Sequence, residues 1–126
     1  MKEFMFLIRK KSNSQETLAP EKFQLFLKAC EVYIENLKQQ GKLVSAKPIV
    51  WSGKIISGKK DKWNETSYDE TGEVIGGYYH IMANDIDEAT EIAKANPEFK
   101  FNENTRIEVR PIKMKEEQTG FVYPSE

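Results

Sequence analysis

The chain has one cysteine and one histidine among 126 residues. A lone Cys30 excludes an internal disulfide framework and a cysteine zinc cage. A lone His80 with scattered carboxylates is a poor ligand set for zinc or iron, so neither a metal nor a cofactor is expected. No sign of charge dominates: 19 Lys and Arg stand against 20 Asp and Glu. Nucleic acid and anionic membranes select clustered basic residues, so neither is an expected partner. Long apolar runs are missing too. The run Phe4 to Ile8 is too short for a membrane span or a secretory core segment. With an unpaired cysteine, this predicts a cytoplasmic protein. A phosphate loop is also lacking, because Gly76 and Gly77 open a strand and not a helix.

What remains is enough for one domain with one core. Phe4 to Ile8 is continuously apolar, as in a strand covered on both faces. Residues 10–19 read as a polar loop. Pro20 suits a first helical position, and Glu21 favours the positive end of the helix dipole. Phe23, Phe26, Leu27, Cys30, Tyr33, Ile34 and Leu37 then form one apolar stripe, ended by Gly41 in a left-handed cap. On that stripe Cys30 reads as a small core residue. A strand from Leu43 to Val50 follows, with Pro48 marking an edge. Lys54 to Ser57 is a short strand between turns, flanked by Trp51 and Trp63. These tryptophans either lid the core or wall a pocket. Asn64 to Gly72 reads as turn-prone. The strand from Val74 to Ala83 contains Gly76-Gly77, which implies a bulge, a bend, or the close approach of another backbone or a ligand. Asp85 caps a helix over Ile86 to Ala95, with Glu88 three residues on, and Asn96-Pro97 stops it. Ile86, Ala89, Ile92 and Ala93 are its buried side. A loop carries Phe99 and Phe101, which are expected to tuck beneath it. The last strand spans Thr105 to Ile112.

The order predicts an α+β, ferredoxin-like βαββαβ antiparallel sheet with both helices on one face and an inserted hairpin. Residues 1–112 form the domain. Residues 113–126 form a tail that is flexible or packs on a partner subunit. One sheet face is left bare, and an apolar bare face implies association, with a two-fold homodimer as the default. Alternation assigns Tyr79, Ile81, Ala83, Ile107 and Val109 to the helices, and Tyr78, His80, Met82, Glu108 and Arg110 to the bare face.

The bare face is where a site is expected. His80 titrates near neutrality in its free state, which suits acid–base work. Its expected carboxylate partners are Glu108, Glu70 or Glu65; the alternative is a packed histidine hydrogen-bonded to a tyrosine. Arg110 can clamp a carboxylate bidentately, or pair with Glu108. Tyr78 and Tyr68 offer hydroxyls to the same cavity, between the sheet and the loop 59–72. The ligand-binding set is therefore Arg110, Tyr78, Glu108, Tyr68 and Glu65, with His80 as the catalytic candidate.

Glu70-Thr71, Glu73, Gly76 to Tyr79, Asp85 to Ala89 and Ile107 to Ile112, in this order and spacing, resemble the YCII-related family, specifically its DGPF branch. The resemblance implies a dimeric α/β barrel. Some relatives act on chlorinated lactones, and some occur alongside extracytoplasmic sigma factors. The branch's Asp-Gly-Pro-Phe signature reads here as Glu65-Thr66-Ser67-Tyr68, without its Gly-Pro turn. The other branch carries a His/Asp pair on its first helix, and this helix has no histidine. His80 holds a position usually apolar in the family. Three functions follow as expectations. The first is a small-molecule-binding or regulatory homodimer holding a carboxylated or aromatic ligand. The second is an enzyme of lactone isomerase or dehalogenase type, with His80 as base. The third is a structural dimer without a ligand.

Overall fold

The computed structural model describes residues 1–11, 19–68 and 72–124. The apolar N-terminal run lies in β1 (Lys2–Lys11), which sits inside the sheet between two other strands. The stripe predicted after Pro20 is α1 (Pro20–Gln39), with Gly41 at φ +70°. Then come β2 (Leu43–Pro48), the hairpin strands β3 (Lys54–Lys59) and β4 (Lys62–Ser67), and β5 (Glu73–Ala83). The chain continues through α2 (Ile86–Lys94), the short α3 (Glu98–Phe101) and β6 (Arg106–Pro111). The main sheet has the order β2-β5-β1-β6, and every pairing in it is antiparallel. This α+β arrangement, with α1 and α2 against one face, is consistent with a ferredoxin-like fold. Pro48 does stand on an edge strand, where its missing N–H leaves no ladder bond unmade.

The core lies between sheet and helices. Phe4, Phe6 and Ile8 alternate inward from β1, and Tyr79, Ile81 and Ala83 from β5. Ala89 and Ala93 let α2 approach this layer closely, and Ile107 and Val109 pack beside it. The faces therefore fall as alternation predicts. Asp85 accepts a hydrogen bond from the Glu88 N–H at 2.8 Å, and Glu88 accepts one from the Asn84 N–H at 2.9 Å. Asp85→Ala should therefore cost about 1 kcal/mol, measured as a lowered denaturant midpoint at constant slope; an unchanged midpoint would remove the cap from the account of α2.

Several local expectations change. Phe23 and Leu27 on the α1 stripe, and Ile86 on α2, are exposed. Asn64 to Ser67 are strand and not turn, because they pair with Lys54 to Ser57. Residues 98–101 form a helical turn. Phe101 packs edge-on against Phe26 there, while Phe99 stays exposed. Trp63 does not lid the core: it is 62% exposed on the β3–β4 hairpin. Trp51 lies against Gly76, where an added Cβ would meet its Nε1 at 3.2 Å. The hairpin turns at Lys60-Asp61, with Asp61 at φ 69°. Gly58 is required, since a Cβ would stand 2.1 Å from the Lys62 carbonyl oxygen. The tail folds on itself: Lys115 bridges to Val122, and the Tyr123 N–H bonds the Met114 carbonyl. Phe121 and Tyr123 meet edge to face and remain exposed.

Candidate functional site

The odd positions of β1 carry Glu3, Met5, Leu7 and Arg9 to the face away from the helices. Register then assembles that face. Met5 lies between His80 on β5 and Arg110 on β6. Leu7 lies between Tyr78 and Glu108, and Arg9 between Ile75 and Arg106. Ser45 on β2 stands opposite His80. The register shifts between Ile8 and Arg9, so Gly76 is the bulge residue and Ile75 faces Arg9. Of the readings left open by the paired glycines, this is the bulge.

His80 does not pair with Glu108, and Glu65 lies elsewhere; Glu70 is outside the described residues. The partner is Glu3, whose Oε1 stands 2.6 Å from His80 Nε2. Their side chains are only 9% and 20% exposed. An ionised carboxylate accepts only, so the Nε2 that faces it carries a proton, and in the neutral ring Nδ1 then keeps a lone pair. Such a pair fixes both the tautomer and the ring, which is what a positioned base requires.

Beside it runs a chain of alternating charges. Glu108 accepts from Arg110 at 3.1 Å and from Arg9 at 2.9 Å. Arg9 also pairs with Glu73, which accepts both 2.7 and 2.9 Å bonds from Arg106 Nη2. The Arg106 hydrogen bond, with help from Arg9, holds the Glu73 carboxyl below the usual carboxylate range. Arg110 ends the chain at 65% side-chain exposure, so much of its guanidinium stays open to an incoming anion. His80 and Arg110 are two strands apart, roughly 10 Å between backbones. A bound molecule reaching both must cross Met5.

The structure thus brings His80, Arg110, Tyr78 and Glu108 to one face. The Tyr78 hydroxyl hydrogen-bonds Ser45 Oγ at 3.1 Å. Tyr68 reaches only the margin, where its hydroxyl accepts from the Ile75 N–H at 2.9 Å. Glu65 remains on the hairpin, paired with Lys54 at 3.1 Å. Glu3, Arg9, Glu73 and Arg106 were missed. The available signal was parity: Glu3 and Arg9 share the odd positions of β1 with Met5 and Leu7, and Arg106 shares the even positions of β6 with Glu108. Among the described residues, no three of His, Cys, Asp or Glu gather as metal ligands. No helix of the described chain is long and apolar enough to cross a membrane.

A cavity of about 250 Å³ lies on the other side of the sheet, beneath α1. Ile8, Phe26, Ile34 and Tyr79 supply apolar walls, with Cys30 and Glu98 among them. Burial, followed by the nearby Glu98 charge, pushes the Cys30 thiol up to about 11. Burial likewise raises the Tyr33 and Tyr79 hydroxyls well above the usual phenol range. Cys30 is therefore a neutral wall residue here and a poor nucleophile.

A family model for the YCII-related domain matches residues 2–113. No curated protein matches the chain.

Proposed function

We propose, from the premise that this chain belongs to the YCII-related family, that it is a homodimer that binds a small carboxylated or aromatic molecule between two facing sheets. The observation that carries this is the composition of the open face. Met5, Leu7, Ile75, Tyr78 and Met82 form an apolar centre, all of them half-buried in the single chain. Ion-paired arginines and glutamates lie along one side of it. An apolar centre with a polar rim is the anatomy of a protein interface. Pairing two such sheets as an α/β barrel covers the centre and leaves Arg110 at its margin as the anion anchor. Tyr78, with its hydroxyl held by Ser45, and Glu108, which steadies Arg110, complete the ligand set.

The test is a thermal-shift screen of small carboxylates and aromatic acids on wild type and Arg110→Ala, together with the mass in solution. Ligand at 100 times its Kd should stabilise wild type by about 2.7 kcal/mol, and Arg110→Ala should lose most of that shift. A monomer at micromolar concentration would remove the two-sheet site. A dimer with no shift for any probe would favour the structural reading.

The Glu3–His80 pair favours a second reading, an enzyme of lactone isomerase or dehalogenase type. In it, His80 Nδ1 accepts a proton from carbon next to the lactone carbonyl, and Arg110 or Tyr78 steadies the oxygen on which charge develops.

A further inference from the structure

We propose that Ser45 is the nucleophile of an esterase site on the open face, with His80 as its base and Glu3 holding the histidine. The proposal rests on the enzymatic reading of the Glu3–His80 pair and gives it a reaction class, hydrolysis of a small carboxylated ester. The observation that carries it is a bulge in β2. The register pairs Leu43 with Ile81 and then Ser45 with His80, so Val44 is an extra residue. Leu43 and Ala46 both pack on the core, three residues apart, where an unbroken strand alternates by two. Without the extra residue Ser45 would stand opposite Tyr79 and face the helices. With it, Ser45 turns to the open face across from His80, and Val44 is left 38% exposed. Bulges re-aim side chains in this way beside active sites.

The neighbours supply the rest of the chemistry. Residues directly opposite on adjacent strands have Cβ atoms roughly 5 Å apart, so a change of rotamer carries the Ser45 hydroxyl toward the imidazole. In the free protein Ser45 Oγ lies 3.1 Å from the Tyr78 hydroxyl. Catalytic hydrogen bonds often tighten only once substrate is bound. Turning Ser45 from Tyr78 to His80 also frees the Tyr78 O–H to donate to the carbonyl oxygen on which charge develops. Glu3, 2.6 Å from Nε2, holds the ring and stabilises the imidazolium. In the reaction Ser45 Oγ bonds to the acyl carbon and its proton passes to His80 Nδ1. The ester C–O bond then breaks, and the proton goes to the leaving alcohol oxygen. Water repeats the two steps and releases the acid, so ester and water become acid and alcohol. Arg110, two strands from His80 across Met5, takes a carboxylate at the far end of the acyl chain.

The full chain is mixed with mono-4-nitrophenyl adipate, and with 4-nitrophenyl hexanoate as its uncharged counterpart. Wild type should release a burst of about one nitrophenol per chain, and the quenched protein should carry an adipoyl group that peptide mass mapping places on Ser45. Ser45→Ala should lose the burst and lower turnover about 10³-fold or more. Glu3→Gln should lower turnover about 10⁴-fold. Tyr78→Phe should lower it about 10²–10³-fold with the acyl group still on Ser45. Arg110→Ala should remove the preference for adipate over hexanoate and keep acylation. No acyl group on wild type, an acyl group on another residue, or wild-type turnover in Ser45→Ala would each overturn the proposal. Lactone turnover that needs His80 and survives Ser45→Ala would overturn it too, while leaving the enzymatic reading intact.

Discussion

Replacing Phe6 by alanine should cost about 3–5 kcal/mol of folding stability. Phe6 is fully buried at the middle of β1. It faces Tyr79 on one neighbouring strand and Val109 on the other. Its ring stands 6.3 Å from that of Tyr79. Removing it leaves a void that strands paired on both sides cannot close, so lost transfer energy and cavity cost add. Domains of this size have only about 5–15 kcal/mol in all, so a large part of the native margin goes. Urea unfolding measures it as a lower midpoint at constant slope. Leu27→Ala is the control: it stands on the apolar stripe predicted for α1 yet is 43% exposed, and should cost about 1 kcal/mol or less. Equal losses at the two positions would contradict the core described above.

The second large effect separates the two functional readings. If the chain turns over lactones with His80 as base, His80→Asn should lower kcat by about 10²–10⁴. Asparagine keeps a polar side chain of similar reach but has no nitrogen that accepts a proton near neutral pH. If the open face only binds, the same change should alter affinity by less than about tenfold. Steady-state kinetics on chlorinated and unchlorinated lactones, with calorimetric titration on the same variant, reads both. Unchanged turnover in folded His80→Asn would end the acid–base role. Intact ligand binding alongside lost turnover would place His80 in the chemistry and Arg110 in recognition.

Much of the fold was legible because its rules are local. Pro20, Gly41 and the Asp85–Glu88 cap act within a few residues, and the structure places helix ends there. Gly76-Gly77 narrowed the choice to a bulge, a bend or a close approach, because glycine weakens an ordinary strand interior, and the register shift shows the bulge. The site was less legible. His80, Arg110, Tyr78 and Glu108 were assigned to one face by counting parity along single strands. Partners were not, because a partner depends on which strands adjoin. Glu3 is 77 positions from His80 in sequence, and only the β1–β5 register makes them neighbours. Glu65 looked available to the site, but pairing of β3 with β4 keeps it on the hairpin, away from the sheet.

The amino-acid sequence by itself determined the order of the main strands and helices, the helix caps, and which side of the third and last sheet strands, β5 and β6, faces the helices. Those follow from backbone geometry and a period of two. The tertiary structure alone decided that Glu3 holds His80, that Glu108 joins Arg9 to Arg110, and that Glu98 lines a cavity under α1. Each depends on strand register and on how far a helix stands from the sheet. Those distances are set by the whole packed core, in which small Ala89 and Ala93 bring α2 close while the cavity beneath α1 remains unfilled.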